Sequence, residues 1–278
     1  MTRSLAENYP YSTLYKAQVR GARDQWLSIV EALEQGLTDP QESLLFLLSL
    51  LINSANEFHS AAEQLVTLCD RKLDRFNDRI TVERILEKHA DSSDYAARLL
   101  EISMHSLLQA AVASGTLGDV TLNPLSQMRS ANKKHGNVGD IEILEEGDII
   151  ESWDAKYGKG YLREEIEEAV EKICDHHRLE IVGFVTNVDI QRTSELERRL
   201  QELRDFYGIA FKIVSHFDWV ESIFKRCTDT CMITESDLAK SWIKAYVDTL
   251  AQRKREVAPV DEPCLEWVLL LHKELEKV

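Results

Sequence analysis

Up to about residue 118 the apolar positions recur at helical spacing, and no stretch alternates at the period of two that marks a half-buried strand. Trp26, Ile29, Val30 and Leu33 set this spacing in a helix expected over Leu14 to Leu37, which Gly36 and Pro40 end. A second helix is expected from Pro40, a residue suited to a first turn, through the run LLFLLSLLI (Leu44 to Ile52) toward Leu73. That run is broken by Ser49 and closed by Asn53, far short of the roughly 20 residues that cross a bilayer, so it reads as a buried helix. The cluster Asp91-Ser92-Ser93-Asp94 supplies candidate N-caps for a further helix with Leu100, Met104, Leu107, Leu108 and Ala111 on one face. Gly115 and Gly118 end it.

From Val120 to about Phe217 the pattern changes to short strands between charged helices. DIEILEE, DIIESWDAKY, EIVGFVTNV and FKIVSHF read as strands, with helices at Leu162 to His176 and Ser194 to Phe206. The second of these has Thr193-Ser194 before it and Gly208 after it, suitable caps at both ends. Glu146-Gly147-Asp148 is a turn that makes the first two strands a hairpin. Helices return at Ser236 to Arg255 and Pro263 to Lys277. The expected organisation is a helical N-terminal region (1–117), a mixed α/β, α+β-like core (118–217) and a helical C-terminal region (218–278).

Hydrophobic residues make up 44% of the chain and charged residues 29%, the balance of a globular protein with a sizeable core. The N-terminus lacks the layout of a signal peptide, so a cytoplasmic protein without a membrane partner is expected. Five scattered cysteines include no paired CxxC spacing for zinc, and they read as reduced structural thiols. The net charge of −15 argues against a general nucleic-acid coat, and leaves room only for a locally positive cleft.

The chemistry concentrates between Arg129 and Arg163. Strand alternation over Asp148 to Tyr157 puts Ile150, Ser152, Asp154 and Lys156 on one face, and Ile149, Glu151, Trp153 and Ala155 on the other. On the preceding strand Asp140 and Glu142 alternate with Ile141 and Ile143, so a hairpin brings a carboxylate from each strand to one point. Two carboxylates and an ammonium side by side are costly unless something binds there. A divalent cation is the natural occupant, and carboxylate oxygens with retained water are what Mg2+ prefers.

Asp140 followed fourteen residues later by Asp154-Ala155-Lys156 resembles the signature of the PD-(D/E)xK nuclease superfamily. The lead-in Asn132 to Asp140 and the helix after the DxK are similar to type II restriction endonucleases in particular. The resemblance covers about residues 120 to 217. It implies a restriction-endonuclease-like mixed sheet flanked by helices, Mg2+-dependent hydrolysis of double-stranded DNA at a specific site, and a homodimer. Asp140, Asp154 and Lys156 are then the catalytic set, with Asp140 and Asp154 as metal ligands. Gly139 stands where the family has a proline.

Glu142 shares the Asp140 face and reads either as a ligand of a second ion or as a solvated carboxylate. Some family members carry a further acidic residue on an earlier helix, and Glu101 reads as that residue or as an exposed helix charge. Glu151 is expected to point away from Asp154. A second DxK, Asp70-Arg71-Lys72, lies in a helical pattern and reads as a solvated face. Arg129, Lys133, Lys134 and His135 form a segment free of acidic residues, and with Lys159 and Arg163 they are the candidate phosphate contacts. Two other functions use the same residues: a repair or transposon-type nuclease, and an inactive DNA-binding or interaction protein on the same fold.

Overall fold

The computed structural model describes residues 23–125, 137–253 and 263–278. Arg129, Lys133, Lys134 and His135 lie outside the described residues. Two compact units divide the chain, Met1–Glu57 and Phe58–Val278.

In the first unit, helix α1 (Arg23–Glu34) ends at Gly36, whose φ of +67° a side-chain-bearing residue adopts only with strain. Asp39 Oδ1 then accepts from Glu42 N at 2.8 Å and caps α2 (Pro40–Lys72), with Pro40 in the first turn as expected. The burial expected of Leu44 to Ile52 is not found, for every apolar side chain of the run is exposed. A helix apolar on all sides calls for cover on all sides. The described part of this unit offers only the short α1, whose own Trp26 and Ile29 are exposed too.

The second unit begins on the same helix, where Phe58, Ala62, Leu65, Leu68 and Cys69 are buried. Helix α3 (Arg79–Asp91) follows, capped by Asp78, and the sequence pattern had not separated it from its neighbours. Ser92 and Ser93 donate back to the carbonyls of Lys88 and His89, at 2.8 and 2.6 Å. They close α3 and do not open α4 (Ala96–Ala113), which starts from Tyr95 in the left-handed region without a side-chain cap. Leu100, Met104, Leu107, Leu108 and Ala111 are all buried on α4.

A five-stranded mixed sheet forms the centre, in the order β1 (Val120–Leu122), β2 (Ile141–Glu145), β3 (Asp148–Ala155), β4 (Ile181–Thr186) and β5 (Ala210–Ser215). The first three strands are antiparallel and the last three parallel. Glu146 (φ 54°) and Gly147 (φ 93°) make the two-residue turn between β2 and β3, both central residues having the positive φ of the turn that matches strand twist. The parallel strands are joined through α5 (Arg163–Val170) and α6 (Ser194–Tyr207), which lie on one face with Val182, Phe184, Phe211 and Ile213 beneath them. The other face, with Ile141, Ile143, Trp153 and Val185, packs with α3, α4, α7 (His216–Thr228), α8 (Glu235–Arg253) and α9 (Cys264–Glu276). Residues 58–117 and the described helices of 218–253 and 263–278 thus share one core against the sheet. Among the described residues no helix is long and apolar enough to cross a membrane.

Two details fix β3. Its pairing with β2 shifts after Ile143↔Glu151 to Leu144↔Ile149, leaving Ile150 as a bulge residue. The bulge exchanges the faces of Ile149 and Ile150 relative to simple alternation: Ile150 packs with Trp153, and Ile149 with Phe184 on the other side. The Trp153 ring crosses β4 at Gly183, where an added Cβ would come within 2.1 Å of Cε3, and it meets Trp219 edge-on at 5.8 Å. Gly183→Ala is therefore expected to lower unfolding stability by about 1–3 kcal/mol, the usual cost of overpacking a core, measurable by urea denaturation. A wild-type midpoint would show that the Trp153 ring is free to move.

Cys69, Cys227 and Cys264 are buried, whereas Cys174 and Cys231 are exposed.

Candidate active site

The register Ile141↔Trp153 and Glu142↔Ser152 places Asp140 beside Asp154 at the mouth of the hairpin. The two residues lock each other. Asp140 N donates to Asp154 Oδ1 at 2.9 Å, and Ala155 N donates to Asp140 Oδ2 at 3.1 Å. Lys156 Nζ reaches Asp154 Oδ2 at 3.0 Å. Lys156 lies one residue past the end of β3, but its N–H donates to Val185 O at 2.8 Å, which ties the end of the DxK segment to β4. The three residues singled out in the sequence are therefore brought together.

The electrostatics are those of crowded charge. Burial, reinforced by the neighbouring Asp154 and Glu101 carboxylates, pushes Asp140 well above the usual carboxylate range. Burial alone would depress Lys156, yet Asp154 and Asp140 outweigh it and raise its pKa, so the ammonium is kept. Glu101 is thus part of this electrostatic neighbourhood. It is 8% exposed on α4 and ion-paired with the buried Arg98, not an exposed helix charge. Arg98 carried no sequence signal beyond lying three residues before Glu101.

Glu142 is not the solvated carboxylate that was one of its two sequence readings. It is 1% exposed, and its two oxygens accept from Val138 N and Asn123 Nδ2, each at 2.7 Å. It fastens the approach to Asp140 to the sheet. Glu151 is on the opposite face, held by Arg226 Nη1 at 2.6 Å and Trp153 Nε1 at 3.2 Å. The second DxK is structural: Asp70 pairs with Lys244 at 2.5 Å, and Lys72 Nζ donates to the last-turn carbonyls of Leu275 and Glu276.

Lys159 and Arg163 are both paired. Lys159 meets Glu165 at 2.5 Å and Arg163 meets Glu167 at 3.2 Å. Glu165, in the first turn of α5, is a functional candidate the sequence reading missed. Burial works to raise its pKa, but the bond from Lys159 and the fields of Lys159 and Lys156 leave it lowered, so it stands charged beside both lysines.

Gly139 has a steric reason. A Cβ there would lie 2.5 Å from Ser152 Oγ and 3.1 Å from Asp154 Oδ1 and from Trp153 O, so the chain passes too close for a side chain. Gly139→Ala is expected to displace Asp154 and, in an assay of the DNA cleavage expected from the sequence, to lower the rate about 10²-fold, the scale of a 1 Å misplacement at a reacting centre. Adding Ser152→Ala removes the nearer clash, so the double variant should recover most of the rate. Steady-state assays of both variants check this, and an unaffected single variant would refute it.

Among the described residues no group of three His, Cys, Asp or Glu stands ready to hold a metal ion unaided. The donor set is then the Asp140–Asp154 pair. One or two carboxylates completed by water and substrate phosphate is the way magnesium is usually held, and the pair meets that demand. A cleft of about 860 Å3 lies past Tyr157 at the carboxyl ends of β4 and β5. It carries Glu83, Glu87, Asp91, Asp189 and Asp218 against Arg84, a lining that suits phosphate poorly.

No family model matches this chain, and no curated protein sequence matches it.

Proposed function

We propose that the chain is a Mg2+-dependent DNA endonuclease of the type II restriction class, acting on a specific duplex site. The observation that carries this reading is the reciprocal lock of Asp140 and Asp154 with Lys156 on the second carboxylate. Such a cluster of like and unlike charges, largely out of water, is costly to assemble for stability alone. The PD-(D/E)xK resemblance gives it a chemistry.

A magnesium ion held by Asp140 and Asp154 would polarise the phosphoryl oxygen and lower the pKa of water. The protein's own part follows from position. Asp140 and Asp154 are fixed by main-chain donors, so the ligand geometry is set before substrate arrives. Lys156, kept as an ammonium, orients the attacking water and donates to the charge that builds on the phosphate oxygens. The water oxygen bonds to phosphorus, the ester P–O bond breaks, and the displaced water proton leaves to solvent as the alkoxide leaving group takes up another. Glu101, held by Arg98, adds negative charge beside Asp140.

Incubation of the purified protein with several plasmids in Mg2+ tests the restriction reading. Discrete, reproducible fragments are expected. A smear would indicate a nuclease without site preference and would overturn the restriction reading.

A further inference from the structure

The cleft past Tyr157 has no role in the catalytic reading, and the inference drawn from it is independent of that reading. It opens at the carboxyl ends of the parallel strands β4 and β5, where sheets of this kind take ligands, and its volume of about 860 Å3 is that of a small-molecule site. Five carboxylates line it, Glu83, Glu87, Asp91, Asp189 and Asp218, and Arg84 is the one Lys or Arg among the described lining residues. Burial pushes the lining residue His216 down to about 4, so it is neutral at pH 7 and offsets none of that charge. Two buried polar atoms of the lining residues, Ser103 Oγ and His216 Nε2, have no hydrogen-bond partner among the described residues. Ser103 is only 3% exposed, and a polar group so buried is normally bonded. His216 Nδ1 faces Glu83 Oε1 at 3.8 Å, too far for a hydrogen bond. With the ring proton on that side, Nε2 is an acceptor.

We infer that this cleft binds an aliphatic polyamine, with its ammonium groups along the α3 carboxylates and its inner end at Ser103 and His216. Spacing selects this class of ligand. Glu83, Glu87 and Asp91 recur every fourth residue on one face of α3, which sets them about 6 Å apart along the helix. Ammonium groups joined by three or four methylenes have a similar separation, whereas a single metal ion would meet only one step of the row. Ile80, Leu86 and Leu99 supply apolar lining for the methylene segments. Burial marks the inner end, for Glu83 is 7% exposed while Glu87 and Asp91 are on the surface. There the Ser103 hydroxyl oxygen, His216 Nε2 and Glu83 Oε1 are acceptors for the N–H donors of an ammonium, Glu83 Oε2 being held already by Arg79 at 3.1 Å.

Calorimetric titration of the full chain with spermidine, without DNA and at constant ionic strength, is expected to show one saturable site. Glu87→Gln, at an exposed position, should weaken it about fivefold by removing the middle carboxylate of the row. Ser103→Ala should weaken it about tenfold, the scale of a hydrogen bond to a charged group, and leave the fold at least as stable, since it removes an unmade bond. Glu195→Gln, on the exposed first turn of α6 and outside the cleft, should leave the affinity unchanged. An equal loss there would point to the overall charge of −15 and refute the site. Butylamine, with one ammonium group, should bind at least tenfold more weakly than spermidine, and equal affinity would contradict the match of spacing. Absence of saturable spermidine binding, or binding that Mg2+ at equal ionic strength abolishes, overturns the proposal. Wild-type affinity in both cleft variants does the same.

Discussion

Replacing Lys156 with alanine is expected to lower the rate of DNA cleavage by about 10²–10⁴-fold, the range for loss of a positioned proton-handling or charge-stabilising group. The ammonium sits 3.0 Å from Asp154 and is held charged by both carboxylates, so its removal takes away the cation paired with Asp154 and leaves the ligand pair in place. Magnesium binding should persist in the variant and even tighten, since the competing cation is gone. Duplex binding should largely persist, because one phosphate contact among many is lost. Gel-based cleavage rates and calorimetric Mg2+ titration of the same preparation separate the two effects. A variant that cuts at the wild-type rate would remove Lys156 from the mechanism.

Asp154→Asn is the second large effect. The amide oxygen can still accept from Asp140 N, so the lock between the strands is retained while the charge that holds a cation and Lys156 is gone. Mg2+ affinity is expected to fall at least tenfold, since loss of even an outer-shell partner costs about 10–100-fold, and cleavage should fall with it. Raising Mg2+ should restore part of the rate. Unchanged metal affinity would show that Asp154 is not a ligand.

Much of this site was legible because it depends on local rules. Alternation puts Asp154 and Lys156 on one face, and the Glu146-Gly147 turn brings Asp140 to within one residue of Asp154; the bulge at Ile150 then sets the two opposite each other. The face shift at Ile150 was not legible, since a bulge follows from how the whole strand packs, and Ile149 and Ile150 are chemically alike. Glu101 and Arg98 were ambiguous for a related reason: whether a helix carboxylate is solvated or buried beside the sheet depends on how α4 docks. Glu142 was open between ligand and solvated carboxylate because alternation gives a face but not a partner, and its partners Val138 and Asn123 come from loops. The exposed run on α2 failed in the opposite sense, for apolar content predicts the need for cover without saying which chain provides it.

The central claim, that Asp140, Asp154 and Lys156 form a metal-dependent phosphodiester-cleaving centre, is tested most directly on a mixture of supercoiled plasmids incubated with the wild-type protein. Conversion to linear or nicked DNA in Mg2+, prevented by EDTA and absent in Lys156→Ala, is the expected result. Plasmid left supercoiled by the wild type in Mg2+, or cut equally well in EDTA, would contradict it.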